Sequence, residues 1–99
     1  MLDFFGKSDP YFVLNRVRED GTYVRVFESG VQKNTLNPVW PPVTISLQKL
    51  CNGDMHRPLV LICYDYDNDG SHDLIGECKD FDANDLSAVN FQMALINGK

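Results

Sequence analysis

The sequence predicts an all-β fold, an antiparallel β-sandwich, and three observations support this class. The 99 residues show almost no helical periodicity. Short runs rich in strand-forming residues alternate with polar loops, and turn residues separate the runs. Several short strands joined in this way are typical of a sandwich. A chain of this length has room for one domain, so we expect a single unit over residues 1–99.

The first half of the chain predicts a hairpin and then a third strand. Residues 11–18 are rich in strand formers and end at Glu19-Asp20-Gly21, which favours a turn before a partner strand at residues 22–27. Residues 43–47, with the sequence VTISL, alternate apolar and polar side chains and predict a strand with one solvated face. Residues 46–50 also fit a short helical turn.

The second half predicts a central strand and weaker elements. Residues 59–64 are continuously apolar, which is typical of a strand buried on both faces. Residues 74–78 and 91–96 are weaker strand candidates, and a short helix is predicted to begin at residues 84–86. Six strands are fewer than the seven or eight of a usual sandwich, so we expect flanking strands to be missing.

Composition excludes several classes of function. The net charge of −5 argues against a general nucleic-acid binder, because such proteins carry basic surfaces. No run approaches the ~20 apolar residues that span a bilayer, and no leader peptide is evident. Cys51, Cys63 and Cys78 are odd in number and contain no CxxC pair, which favours reduced, buried thiols in a cytoplasmic chain and argues against a zinc site.

The stretch DYDNDGSHD, residues 65–73 (the acidic loop), contains four aspartates in nine positions. Asp65, Asp67, Asp69 and Gly70 match the start of an EF-hand. The EF-hand interpretation fails for two reasons. Gly76 occupies the position at which the motif needs a bidentate Glu, and a strand, not a helix, is predicted before the acidic loop. A solvated acidic loop is the alternative for this stretch taken alone.

A second acidic segment lies in LDFFGKSDPY, where Asp3 and Asp9 are six positions apart. Calcium takes six to eight oxygen ligands, and separate loops can supply them. Two loops at one end of a sandwich would therefore collect five carboxylates around divalent cations, which would offset the repulsion among them. These candidate metal ligands are Asp3, Asp9, Asp65, Asp67 and Asp73.

Three segments together resemble a calcium-binding C2 domain: LDFFGKSDPY, KNTLNPVW at residues 33–40 and CYDYDNDGSHDLIGE at residues 63–77. The pattern is most similar to the second C2 domain of the copines. The resemblance implies an eight-stranded Greek-key sandwich that binds two Ca²⁺ ions through the five aspartates. It also implies ligation by the main-chain carbonyls of Leu2 and Tyr66. Gly70 replaces a serine that helps a further ion in some members, and the adjoining Asp69 is a further candidate ligand.

The resemblance implies a Ca²⁺-dependent module that binds anionic phospholipid membranes. Such a protein is cytoplasmic and becomes a peripheral membrane protein when calcium rises. The candidate membrane contacts are Phe4, Phe5, Lys7 and His72. A larger copine-like chain would add protein partners.

Two other classes of function remain to be compared. A calcium-independent protein-interaction or adaptor domain is the main alternative, because such a domain can work through a sheet face. An enzyme is not expected, since neither a nucleophile–base pair nor a phosphate-binding loop is evident. Basic residues on neighbouring strands are a further candidate binding face. Acidic residues nearby favour a solvated surface there instead. The basic residues are Arg16, Arg18, Arg25 and Lys33.

Overall fold

The computed structural model describes residues 8–35 and 38–86. Within these ranges, four strands form one antiparallel sheet in the order β2-β1-β3-β4. This architecture confirms the predicted antiparallel all-β class. In chain order the elements are β1 (Pro10–Val17), β2 (Tyr23–Glu28), α1 (Leu47–Cys51), β3 (Leu59–Asp65), β4 (Asp73–Phe81) and α2 (Ala83–Leu86).

The predicted hairpin is confirmed as β1 and β2. Its turn depends on Asp20, whose Oδ1 accepts hydrogen bonds from the backbone N–H of Thr22 at 2.9 Å and from its hydroxyl at 2.6 Å. Both bonds favour the charged carboxylate and lower the pKa of Asp20. Gly21 has a φ of +87°, a left-handed conformation that glycine adopts without steric cost.

The predicted central strand is confirmed as β3, which lies between β1 and β4. Leu59 is fully buried, and Leu61 and Cys63 are 3% and 1% exposed. These three side chains lie on the same face of the sheet as Phe12. The Trp40 ring packs edge-on against the Phe12 ring, with the ring centroids 5.0 Å apart. The buried core cluster comprises Phe12, Leu14, Val26, Leu50, Cys51, Leu59, Leu61, Phe81 and Ala83.

The strand predicted at residues 43–47 is wrong, whereas the helical turn predicted at residues 46–50 is confirmed as α1. Pro41 and Pro42 precede this segment and lack N–H groups, so they disfavour pairing with a neighbouring strand. Ser46 then begins the helix, because its hydroxyl oxygen accepts a hydrogen bond from the N–H of Lys49. Of the apolar side chains in VTISL, only Ile45 is partly buried against the core, whereas Val43 and Leu47 are exposed.

The weaker predictions near the C-terminus have different outcomes. Residues 74–78 lie within β4, and the short helix predicted at residues 84–86 is α2. Asp82 and Asp85 cap α2 reciprocally, since each carboxylate accepts a hydrogen bond from the other residue's N–H. The strand predicted at residues 91–96 lies outside the described residues.

The three cysteines are free thiols. Cys51 and Cys63 are buried and Cys78 is half-buried, as the sequence predicts. Burial, with smaller contributions from the neighbouring Cys78 and Asp65, raises the pKa of Cys63 to about 12. Across residues 8–35 and 38–86, no helix has the length and apolar character needed to cross a membrane.

Candidate functional site

Sheet pairing brings the two predicted acidic segments to one end of the sheet. In the β1–β3 ladder Pro10 pairs with Asp65, and in the β3–β4 ladder Asp65 pairs with Asp73. Asp9, which directly precedes β1, therefore lies at the same end as the acidic loop. Its N–H donates to Oδ1 of Asp65 at 2.9 Å, and its carbonyl accepts from the N–H of Tyr66 at 2.9 Å. Four of the five predicted carboxylate residues thus lie at one end of the sheet: Asp9, Asp65, Asp67 and Asp73.

A third segment, residues 30–35, closes this end of the sheet. The N–H of Asn34 donates to Oδ1 of Asp9 at 2.6 Å, and the N–H of Thr35 donates to the carbonyl of Ser8 at 2.8 Å. Asn34 has a φ of +54°, a conformation that asparagine tolerates better than most residues. The first residues of the KNTLNPVW segment therefore hold the Asp9 carboxylate in place through a backbone hydrogen bond.

Asp67 and Asp69 shape the acidic loop through local hydrogen bonds. Oδ1 of Asp67 accepts from the N–H of Asp69 at 3.2 Å. Oδ1 of Asp69 accepts from the N–H and the hydroxyl of Ser71 at 2.8 and 2.9 Å. These two bonds from Ser71 lower the pKa of Asp69. Gly70, at the turn, has a φ of +87°. The observed role of Asp69 is thus to fix the turn of the loop.

His72 packs against the sheet. Its Nδ1 accepts a hydrogen bond from the N–H of Asp67 at 3.0 Å, and its ring stacks on Tyr66 with centroids 4.9 Å apart. Tyr11, on β1, meets the His72 ring edge-on at 5.5 Å. Lys33 places its Nζ 5.0 Å from the centroid of Tyr66. These aromatic contacts attach the acidic loop to both β1 and the segment 30–35.

The donor chemistry at this end fits a hard cation. The predicted ligands are carboxylate and carbonyl oxygens, which Ca²⁺ prefers. Asp9, Asp65 and Asp67 each use Oδ1 in the hydrogen bonds above, so Oδ2 takes no part in those three contacts. Among the described residues, no three His, Cys, Asp or Glu side chains are close enough together to hold a metal ion as they stand. The predictions for Leu2, Asp3, Phe4, Phe5 and Lys7 lie outside those residues.

The family model described as C2 domain matches residues 1–90. The chain belongs to the C2 domain family. A solved structure of a copine C2B domain, BON1-C2B, is similar, with 36% sequence identity, a TM-score of 0.73 and coverage of 95% of this chain. The chain spans 62% of the length of that neighbour.

Membership of the family has consequences for the class of function. It supports a membrane- or calcium-binding module in general, and the family is one of non-catalytic binding modules. The resemblance to C2 domains and copines predicted from the sequence is therefore confirmed.

The strand β3 before the acidic loop also agrees with rejection of the EF-hand, which needs an entering helix.

Some residues at this end of the sheet were not singled out by the sequence. Asn34 and Tyr11 lie in the segments KNTLNPVW and LDFFGKSDPY, but neither was assigned a role there, and only the fold shows their contacts with Asp9 and His72. Lys33 was grouped with a basic face, yet it lies over Tyr66 at the acidic end. The other members of that group are engaged elsewhere: Arg16 donates to the carbonyl of Lys49, Arg18 to Thr22 and Arg25 to Glu28.

Proposed function

We propose that this chain is a Ca²⁺-dependent module that binds anionic phospholipid membranes. The observation that carries the proposal is the direct link between Asp9 and Asp65, with Asp73 opposite Asp65 in the ladder. Acidic residues from segments more than fifty residues apart therefore lie at one end of the sheet. Like charges at one end of the sheet repel one another and cost free energy. A bound cation would offset this repulsion.

The proposed ligand set is the one that the sequence predicts. The carboxylates would surround two calcium ions, with help from the main-chain carbonyls of Leu2 and Tyr66. Asp69 is less suited to be a ligand, because Ser71 already engages its carboxylate twice. The five proposed carboxylate ligands are Asp3, Asp9, Asp65, Asp67 and Asp73.

The electrostatics of this end make calcium a switch for membrane binding. Without a cation, the aspartates repel an anionic leaflet. Bound calcium would supply positive charge and open coordination positions for lipid phosphate or carboxylate oxygens, and the negative potential of the cytoplasmic leaflet would add attraction. Phe4 and Phe5 are proposed to enter the interface, where burying one aromatic side chain contributes about 1.5–3 kcal/mol. Lys7 and His72 are proposed to face lipid headgroups.

Sedimentation with liposomes tests this function. Vesicles of phosphatidylserine and phosphatidylcholine should carry the chain into the pellet with Ca²⁺ and leave it in solution with a chelator. The double variant Asp65→Asn with Asp67→Asn should lose the calcium response, because it removes two charged ligands while keeping side-chain oxygens as acceptors.

A matched control removes the same charge far from the acidic loop. Glu19 is 90% exposed at its side chain, and Asp80 has a φ of +62°, which asparagine accepts. Glu19→Gln with Asp80→Asn should therefore bind vesicles as the wild type does. Equal pelleting of the wild type with calcium and with chelator would overturn the proposal and would favour the calcium-independent adaptor.

A further inference from the structure

His72 lies between two proposed carboxylate ligands, because its side chain contacts Asp67 and its neighbour in sequence is Asp73. Its Nδ1 accepts the N–H of Asp67, five residues earlier, and Asp73 follows it directly in sequence. A single side chain therefore fixes the loop on the two sides of the turn at residues 69–71. Its own nitrogen Nδ1 is occupied by this contact.

The ring of His72 is held by a rigid part of the fold. It stacks on Tyr66 with an interplanar angle of 25° and meets Tyr11 at 84°. Tyr11 is 9% exposed on the central half of the sheet and stacks in turn on Tyr64 of β3 at 5.5 Å. β1 and β3 are paired along their length. The aromatic contacts therefore restrain the loop residues 66–72, which lie outside the strands, against a hydrogen-bonded part of the sheet.

We propose that His72 is a positioning residue that preorganises the acidic loop for a divalent cation. The role rests on the proposed function and adds a residue that does not touch the metal. The hydrogen bond to Asp67 and the stack on Tyr66 hold a carboxylate ligand and a carbonyl ligand in place before binding. Ordering a loop costs conformational entropy, and a loop that is ordered in advance does not lose that entropy on binding.

Two substitutions separate the hydrogen bond from the ring. His72→Asn places an amide oxygen where Nδ1 lies and so keeps an acceptor for the Asp67 N–H. His72→Phe keeps an aromatic ring for Tyr66 and Tyr11 but has no acceptor. Removing a residue that supports metal ligands typically weakens metal binding by about 10–100-fold. Calcium titration by calorimetry should therefore show about tenfold weaker binding for His72→Phe and, because the acceptor is restored, less than about threefold weakening for His72→Asn.

A second readout uses the protein without calcium. Amide hydrogen exchange at Asp67, followed by NMR in chelator, should be about tenfold faster in His72→Phe than in the wild type or His72→Asn, because the N–H loses its partner. Faster exchange and weaker calcium binding in His72→Asn than in His72→Phe would overturn the role of the acceptor, because only His72→Asn loses the ring that packs on Tyr66 and Tyr11. If the wild type binds no calcium, the proposed function fails and this role fails with it. If the wild type binds calcium and His72→Phe binds it equally tightly, only the positioning role is overturned.

Discussion

Asp65 connects the acidic loop to Asp9 through one carboxylate oxygen. Two substitutions at Asp65 distinguish the contribution of this hydrogen bond to stability from the contribution of the negative charge. Its Oδ1 accepts the N–H of Asp9 at 2.9 Å in a partly buried position. A hydrogen bond to a charged group contributes about 1.5–3 kcal/mol, and partial exposure places this one at the lower end. Asp65 also pairs directly with Asp73 across the β3–β4 ladder, and like charges in that arrangement cost about 0.2–1 kcal/mol.

These magnitudes predict different thermal stabilities for two variants in chelator. Asp65→Ala loses the acceptor and gains relief of repulsion, so it should lower the free energy of unfolding by about 1 kcal/mol. For a domain of this size, that is a fall of about 4–8 °C in Tm. Asp65→Asn keeps an acceptor and also relieves the repulsion, so its Tm should stay within about 3 °C of the wild type.

Thermal melting followed by circular dichroism in chelator is the assay. Asp73→Asn is the control, because it relieves the same pairwise repulsion without touching the Asp9 contact. It should melt at or slightly above the wild-type temperature. Equal destabilisation by Asp65→Ala and Asp65→Asn would refute the reasoning, since the charge and not the acceptor would then be the stabilising feature.

Three further predictions concern the fold. Leu59→Ala, at a fully buried position, should lower the free energy of unfolding by about 2–5 kcal/mol in urea titrations, and an unchanged midpoint would contradict the assigned core. Gly70→Ala introduces a side chain at a φ of +87° and should cost about 1 kcal/mol or more by the same assay, whereas a gain in stability would contradict that turn. Cys63 has its folded pKa raised from 9.0 to about 12, so the folded state keeps its proton while the unfolded state loses it, and stability should fall as pH rises from about 9 towards 12. A Cys63→Ala variant should lose stability less steeply above pH 9, and equal slopes would contradict this account.

The strands were predictable where burial alone determines the pattern. Residues 59–64 are continuously apolar and form β3, one of the two inner strands of the sheet. The turn at Glu19-Asp20-Gly21 was predictable because Asp and Gly favour turns, and Asp20 accepts two hydrogen bonds from Thr22 there. The alternation at residues 43–47 predicted a strand wrongly, because only Ile45 packs against the core, while Val43 and Leu47 are exposed and the backbone has no strand partner among the described residues. The two prolines before this segment were the signal that pairing is disfavoured.

The candidate site was predictable as a set of aspartates but not as a set of contacts. Spacing within LDFFGKSDPY and DYDNDGSHD identified the acidic residues, since each spacing is local in the sequence. The contacts of Asn34 with Asp9 and of Tyr11 with His72 depend on strand pairing over long sequence separations. No local pattern encodes such pairs, so the packing of the His72 ring on Tyr66 was not predicted from the sequence.

The central claim is that the acidic end of the sheet binds calcium in the folded state. Scanning calorimetry of the wild type across a calcium titration tests it most directly, because a ligand that binds only the folded state raises Tm by mass action. At a calcium concentration about 100 times Kd the stabilisation is about 2.7 kcal/mol, which corresponds to a rise of about 10–20 °C. The account predicts a rise of this size that is absent in Asp65→Asn with Asp67→Asn. A wild-type Tm that is independent of calcium up to millimolar concentrations would contradict it.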